Sequence, residues 1–182
     1  GRTVGGVWEA ERPHLLPLPR FPWPCCTAHA LKASRSSVVR FEGNRYSVPA
    51  GYAGRNVLLR AYVDQVDIAH GERIIASHPR SYGRGQDILD PYHYVPVLQV
   101  KPGAFHHAKA VRRYPWPPVF RRALAFLEER YSDGKGVREF LRILALKEEA
   151  GEERLGQALE LALRHRCLAA DAVRHLLHQL EV

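Results

Sequence analysis

The sequence predicts a mixed fold, β first and α after: a small SH3-like five-stranded β-barrel followed by a short-loop helical bundle. Three observations carry this. Residues 38–49 alternate apolar and polar side chains around a turn placed at Gly43-Asn44, the signature of a half-buried hairpin. Beyond residue 118, four stretches repeat apolar residues at i, i+3, i+4 and i+7. Charge follows the same division. Residues 1–118 hold 16 Lys+Arg against 8 Asp+Glu, a net of +8, whereas residues 119–182 hold 11 of each.

Residues 1–26 read as an extended, proline-rich linker. Pro13, Pro17, Pro19, Pro22 and Pro24 oppose a helix, and Leu15, Leu16, Leu18, Phe21 and Trp23 predict a strip laid on a neighbouring surface. Residues 27–79 form the barrel. Strand signal within it falls on Ala28–Ala33, the hairpin Val38–Phe41 and Arg45–Val48, the apolar run 57–63, and Val66–Ala69 and Ile74–Ala76 about a turn at His70-Gly71-Glu72. Closure would remove exposed edges. Residues 80–117 read as a basic connector. Within it, Asp90-Pro91 is an N-cap and first helical residue, and a short helix runs to about Gln99. Arg112 to Pro118 is a stiff link. Residues 118–182 form the bundle, broken at Ser132-Asp133-Gly134, Gly151 and Cys167.

Composition narrows the function. A hydrophobic share of 46% over 182 residues supports a real core. The sequence lacks methionine even at position 1, and the expectation is a piece of a longer or processed chain. Nothing approaches the apolar length of a membrane span, and Gly1 to Glu11 has no apolar stretch of the signal-peptide kind. Three cysteines give no disulfide framework, and Cys25, Cys26 and His29 lack the second ligand pair of a zinc finger. No metal or other cofactor is expected.

The basic excess points to a polyanion. The candidate phosphate contacts are Arg40, Arg45, Arg55, Arg60, Arg80, Arg84, Lys101, Arg112 and Arg113, with Arg35 and Lys109 beside them. Tyr46, Tyr82, Tyr114 and Trp116 lie among these residues and could stack, although strand aromatics usually pack into a core. No catalytic group stands out. Gly83-Arg84-Gly85 lacks the lysine and hydroxyl of a phosphate loop, Ser34, Ser36 and Ser37 have no nucleophile-elbow context, and His175 and His178 have no carboxylate company. On the last helix Val173, Leu176, Leu177 and Leu180 form an apolar stripe. It either closes the bundle over Leu159 and Leu163 or serves as a partner contact.

The ordered series Leu15-Leu16-Pro17-Leu18-Pro19, Val39-Arg40-Phe41-Glu42-Gly43-Asn44-Arg45-Tyr46-Ser47-Val48-Pro49, Gly54-Arg55, His78-Pro79-Arg80-Ser81-Tyr82-Gly83-Arg84-Gly85-Gln86, Lys101-Pro102-Gly103-Ala104 and Arg138-Glu139-Phe140-Leu141-Arg142-Ile143-Leu144 resembles the C-terminal region of IstA-type insertion-sequence transposases. The resemblance runs from about Glu11 to the C-terminus. For the whole family protein it implies a helix-turn-helix region, an integrase-like catalytic domain with three carboxylates and two metal ions, a small barrel with a helical tail, and an AAA+ helper ATPase. This chain is similar to the last part alone, so no catalytic residue is carried over. The function so implied is a DNA-binding and assembly module of a DDE-type transposase, not itself an enzyme, in the bacterial cytoplasm at the nucleoid. Its partners would be duplex DNA, other transposase subunits and the AAA+ helper, with no membrane. The alternative is a protein–protein interaction module without significant DNA binding. RNA binding would ask for more aromatics on an exposed strand face.

Overall fold

The computed structural model describes residues 3–17 and 25–180. Leu18, Pro19, Phe21, Pro22, Trp23 and Pro24 of the expected linker lie outside the described residues. Before them the chain is helical rather than extended: α1 spans Val4–Glu11, capped where the Thr3 hydroxyl accepts the Gly6 N–H at 3.3 Å. The first proline is Pro13, so no proline opposes a helix over Val4–Glu11. Every residue of α1 is exposed, Val4 at 89% and Trp8 at 54%.

Two sheets follow. β1 (Thr27–Lys32), β4 (Asn56–Ala61), β5 (Gln65–His70) and β6 (Arg73–Pro79) form an antiparallel sheet in the order β1-β4-β5-β6. β2 (Val38–Phe41), β3 (Asn44–Ser47) and β7 (Asp87–Ile88) form a second in the order β2-β3-β7, with β7 parallel to β3. Alternation places Val39, Phe41, Tyr46 and Val48 from one sheet against Val57, Leu59, Val66 and Ile68 from the other in a single core.

The expected closed five-stranded barrel is corrected here: the ladders form two sheets, and no ladder joins β3 to β6 among the described residues. Side chains span that seam instead. His78 Nε2 donates to the Ser47 carbonyl at 2.7 Å, and Asn44 Nδ2 donates to the carbonyls of Ser81 and Gly83 at 3.0 and 2.7 Å. The hairpin turn also moves by one residue. Phe41 pairs with Asn44, so the turn is Glu42-Gly43, both with positive φ (47° and 76°), as a two-residue hairpin turn of the I′ kind requires. Asn44 is then a buried strand residue, not a turn residue.

The Asp90 cap holds as expected, its Oδ1 accepting the Tyr92 N–H at 2.8 Å. A short 3-10 turn over Pro91–Tyr94 leads into α2 (Val95–Val100), and a second (Pro102–His107) leads into α3 (Lys109–Arg113). The stretch read as a connector is therefore mostly structured. Its Val95, Leu98, Phe105 and Val111 belong to the same core as the helices that follow. These are α4 (Pro118–Arg130), α5 (Lys135–Ala145), α6 (Lys147–Ala150), α7 (Glu152–Arg164) and α8 (Ala170–Gln179). The breaks fall where Ser132-Asp133-Gly134, Gly151 and Cys167 place them.

The terminal stripe closes this core. Val173 is fully buried and Leu177 5% exposed, Leu176 packs half-buried against the core, and of the four only Leu180 is exposed, at 39%. That corrects the reading of Val173 and Leu177 as partner contacts, because α8 lies on α7 and α5 and spends those side chains there. Leu176→Ala is expected to cost about 1 kcal/mol, in keeping with partial burial, and to leave sedimentation unchanged. Abolished self-association with normal denaturation would restore the partner role.

Candidate nucleic-acid interface

The hairpin sets the site. Its register pairs Arg40 on β2 directly with Arg45 on β3, while Phe41 turns inward. Like charges directly opposite one another weaken a strand pair, so a counter-charge is needed. Asp87 on β7 supplies it. Its carboxylate is 3% exposed and bonds Arg45 Nε, Lys109 Nζ and, at 3.2 Å, Arg113 Nη1. Burial alone would raise the Asp87 pKa. Hydrogen bonds from Lys109 and Arg45 outweigh it and hold the group below the usual carboxylate range.

One buried carboxylate thus gathers three cations from two elements, Arg45 from β3 and Lys109 and Arg113 from α3, and the cluster stays net positive. Arg45, Lys109 and Arg113 keep 41%, 47% and 60% of their side chains exposed. Lys109 lines two adjoining concavities. One, of about 330 Å³, lies between the hairpin and α3, walled by Val38, Leu89, Tyr94 and Ala110. The other, of about 370 Å³, is lined by His107, Lys109, Arg112 and Arg113. Arg84 packs its stem beside Gly43 at the hairpin tip.

Other expected contacts go elsewhere. Arg80 is engaged internally: it donates to the Tyr62 carbonyl at 2.7 Å and to both Glu42 oxygens at 2.9 and 3.0 Å, and it lies over the Tyr82 ring at 4.7 Å. Its fork braces the hairpin tip against β6 rather than facing out. Arg55 lies over the Tyr52 ring at 5.8 Å, and Arg60 sits opposite Asp67 on the four-stranded sheet. Lys101 is exposed beyond α2, in the helical part. Tyr46 is fully buried, its hydroxyl accepting the Ser81 N–H at 3.0 Å, which is the packing role. Tyr114 and Trp116 pack edge-on at 4.8 Å, beside Tyr92.

Sequence reasoning missed Asp87 and Asn44. Asp87 looked like one acid in a basic connector. Asn44 is fully buried with three hydrogen bonds, two donated as above and one accepted from the Gln86 N–H at 3.0 Å. It fastens the glycine-rich loop 81–86 to the hairpin and so delivers Arg84 and Asp87. Neither position carries a signal in the sequence, because both roles depend on residues more than 20 positions away.

Behind the site, strands meet helices through a small polar cluster. Ser47 Oγ accepts the Asp90 N–H at 2.8 Å and lies 2.8 Å from His93 Nδ1, and His78 and His93 pack edge-on at 5.6 Å. Burial pushes His93 down to about 4 from 6.5, with the Asp90 charge working against it, and burial lowers His78 as well. In both, the unfolded chain takes up protons first, so stability is whole above about pH 6.5 and falls as acid approaches the folded pKa. By pH 5 His93 alone should cost about 2 kcal/mol, from 1.36 kcal/mol per pH unit. Denaturation of the parent and of His93→Asn across this range checks it: an unchanged difference between the two proteins would contradict the assignment.

Comparison with known proteins agrees with the expected region. Residues 18–90 match the family described as Mu transposase, C-terminal domain. The chain is 35% identical over 98% of its length to a transposase of Aminobacter aminovorans, and 34% identical over 98% to the transposase for insertion sequences IS1326/IS1353 of Pseudomonas aeruginosa. It is 29% identical over 93% to a putative transposase for insertion sequence IS1162 of Pseudomonas fluorescens. The chain spans 35% of the length of the first two and 30% of the third. No solved structure matches it. None of the helices among the described residues is long and apolar enough to cross a membrane.

Proposed function

We propose that this chain, similar over nearly all its length to insertion-sequence transposases and expected as a C-terminal transposase region, is a duplex-DNA-binding and assembly module of such a protein. The observation that carries the reading is the cluster on Asp87, which holds Arg45, Lys109 and Arg113 on one surface, with Arg40 paired opposite Arg45 and Arg112 lining a concavity with Lys109 and Arg113. Arginine forks on a mixed hairpin and helix surface suit phosphates along a duplex, whose contacts fix position and leave sequence choice elsewhere. The work is positioning, and the chain itself performs no strand chemistry. In the whole protein this surface would grip DNA near an element end, while sister subunits and an AAA+ helper ATPase assemble around it in the bacterial cytoplasm at the nucleoid.

Arg40→Glu with Arg112→Glu tests this, because both side chains are exposed and neither closes the core. Binding should weaken about equally for duplexes of different sequence, with the melting temperature nearly unchanged. If duplex affinity stays intact while self-association or helper binding is lost, the chain is instead a protein–protein interaction module without significant DNA binding.

A further inference from the structure

The helical half balances its charges in number, 11 against 11, but not in space. Four of its eleven acids, Glu148, Glu149, Glu152 and Glu153, cluster on α6 and the start of α7. α5 instead presents Lys135, Arg138 and Arg142 at the i, i+3, i+7 spacing of one helix face, all exposed, while its Val137, Phe140, Leu141 and Leu144 are buried in the core. With Tyr131 and Glu139 the three cations line a concavity of about 370 Å³.

The acid within this concavity is already committed. Glu139 Oε1 accepts the Ala170 N–H at 2.6 Å, and Oε2 takes Arg142 at 3.3 Å. Asp133, in the turn before α5, accepts the Ser132 hydroxyl at 3.3 Å. Neither Lys135 nor Arg138 has an ion pair among the described residues. Their placement does not serve the fold either: both sit in the first turn of α5, where positive charge opposes the helix dipole and costs stability. Uncompensated cations, held on a rigid helix around a concave, hydroxyl-bearing surface, call for an anionic partner.

We infer that this face of α5 is a second phosphate-contacting surface for duplex DNA, built on the helical core and separate from the hairpin patch. It extends the proposed function by having one chain engage the backbone from both of its cores, and it rests on that reading only in the choice of polyanion. Guanidinium and ammonium groups at helical spacing contact phosphates without reading bases.

The test is Lys135→Glu with Arg138→Glu in the full chain, compared with Arg40→Glu/Arg112→Glu, titrated with a long duplex at several salt concentrations. Removing two phosphate contacts should make the slope of log K against log salt shallower by about 2. The melting temperature should hold or rise, since the new charges suit the helix dipole. Lys135→Gln with Arg138→Gln should reproduce the shallower slope, which guards against a folding defect in the reversed variant. An unchanged slope overturns the inference, and so does an unchanged slope with lost self-association, which would assign the face to a protein. If the α5 variants change the slope and the hairpin variant does not, the second surface stands and the hairpin reading fails.

Discussion

Gly136→Val is expected to destabilise the protein by about 3 kcal/mol, the upper end of what overpacking a close-packed interior costs. Gly136 is buried at the start of α5, where α4 and α5 touch. A Cβ there would meet the Leu127 carbonyl oxygen at 2.5 Å, its carbon at 2.7 Å and the Glu128 nitrogen at 2.9 Å. All three are backbone atoms of α4, so no side chain can swing aside. The helices must separate, and Leu127, Phe140 and Leu141, all essentially buried, then lose their packing. Gly136→Ala separates the two contributions: better helix propensity favours it by about 1 kcal/mol, yet the clash should leave it net destabilised. Chemical denaturation of both variants checks this. If the alanine variant is more stable than the parent, the helices have room and the packing account is wrong.

Asn44→Ala is expected to cost about 3 kcal/mol and to weaken DNA binding with it. The mutation removes three hydrogen bonds and leaves the carbonyls of Ser81 and Gly83 and the Gln86 N–H without that partner at a partly buried seam. Because loop 81–86 leads directly to Asp87, loosening it should also scatter the cations that Asp87 gathers. Asn44→Asp makes a sharper comparison. The carboxylate can still accept the Gln86 N–H, but two carbonyl oxygens would face it where the amide donated. It should therefore be at least as damaging as alanine. Amide exchange confined to residues 81–88 would show the mechanism directly, and normal protection there in Asn44→Ala would refute it.

The parts of the fold legible in the sequence were those governed by local pattern. The hairpin, the Asp90 cap and the four main helices each depend on residues a few positions apart, and each appeared where periodicity placed it, the hairpin with its turn one residue earlier than Gly43-Asn44. What escaped depends on distant residues. Asp87 gains its role only because β7 pairs in parallel with β3 for two residues, a contact too short to leave a pattern. The connector seemed a linker because its prolines and arginines masked Val95, Leu98, Phe105 and Val111, which pack into a core otherwise made of later helices. A division at residue 117 would cut through that core, so the binding surface has to be tested in the intact chain. Sheet closure failed as an expectation for a related reason: strand count and alternation do not say whether a seam is bridged by a ladder or, as here, by Asn44 and His78. The arginines were readable as a set. Which face outward was not, because it depends on distant partners: Arg80 meets Glu42, the Tyr62 carbonyl and the Tyr82 ring, whereas Arg45 meets Asp87 on β7.

The most direct test of the central claim is the salt dependence of duplex binding by the intact chain. With about 4–6 phosphate contacts, log K against log salt should fall with a slope near −4 to −5, the same for duplexes of unrelated sequence and shallower in Arg40→Glu/Arg112→Glu. Binding that ignores salt, or a slope untouched by those reversals, would contradict the assignment of this surface to DNA phosphates.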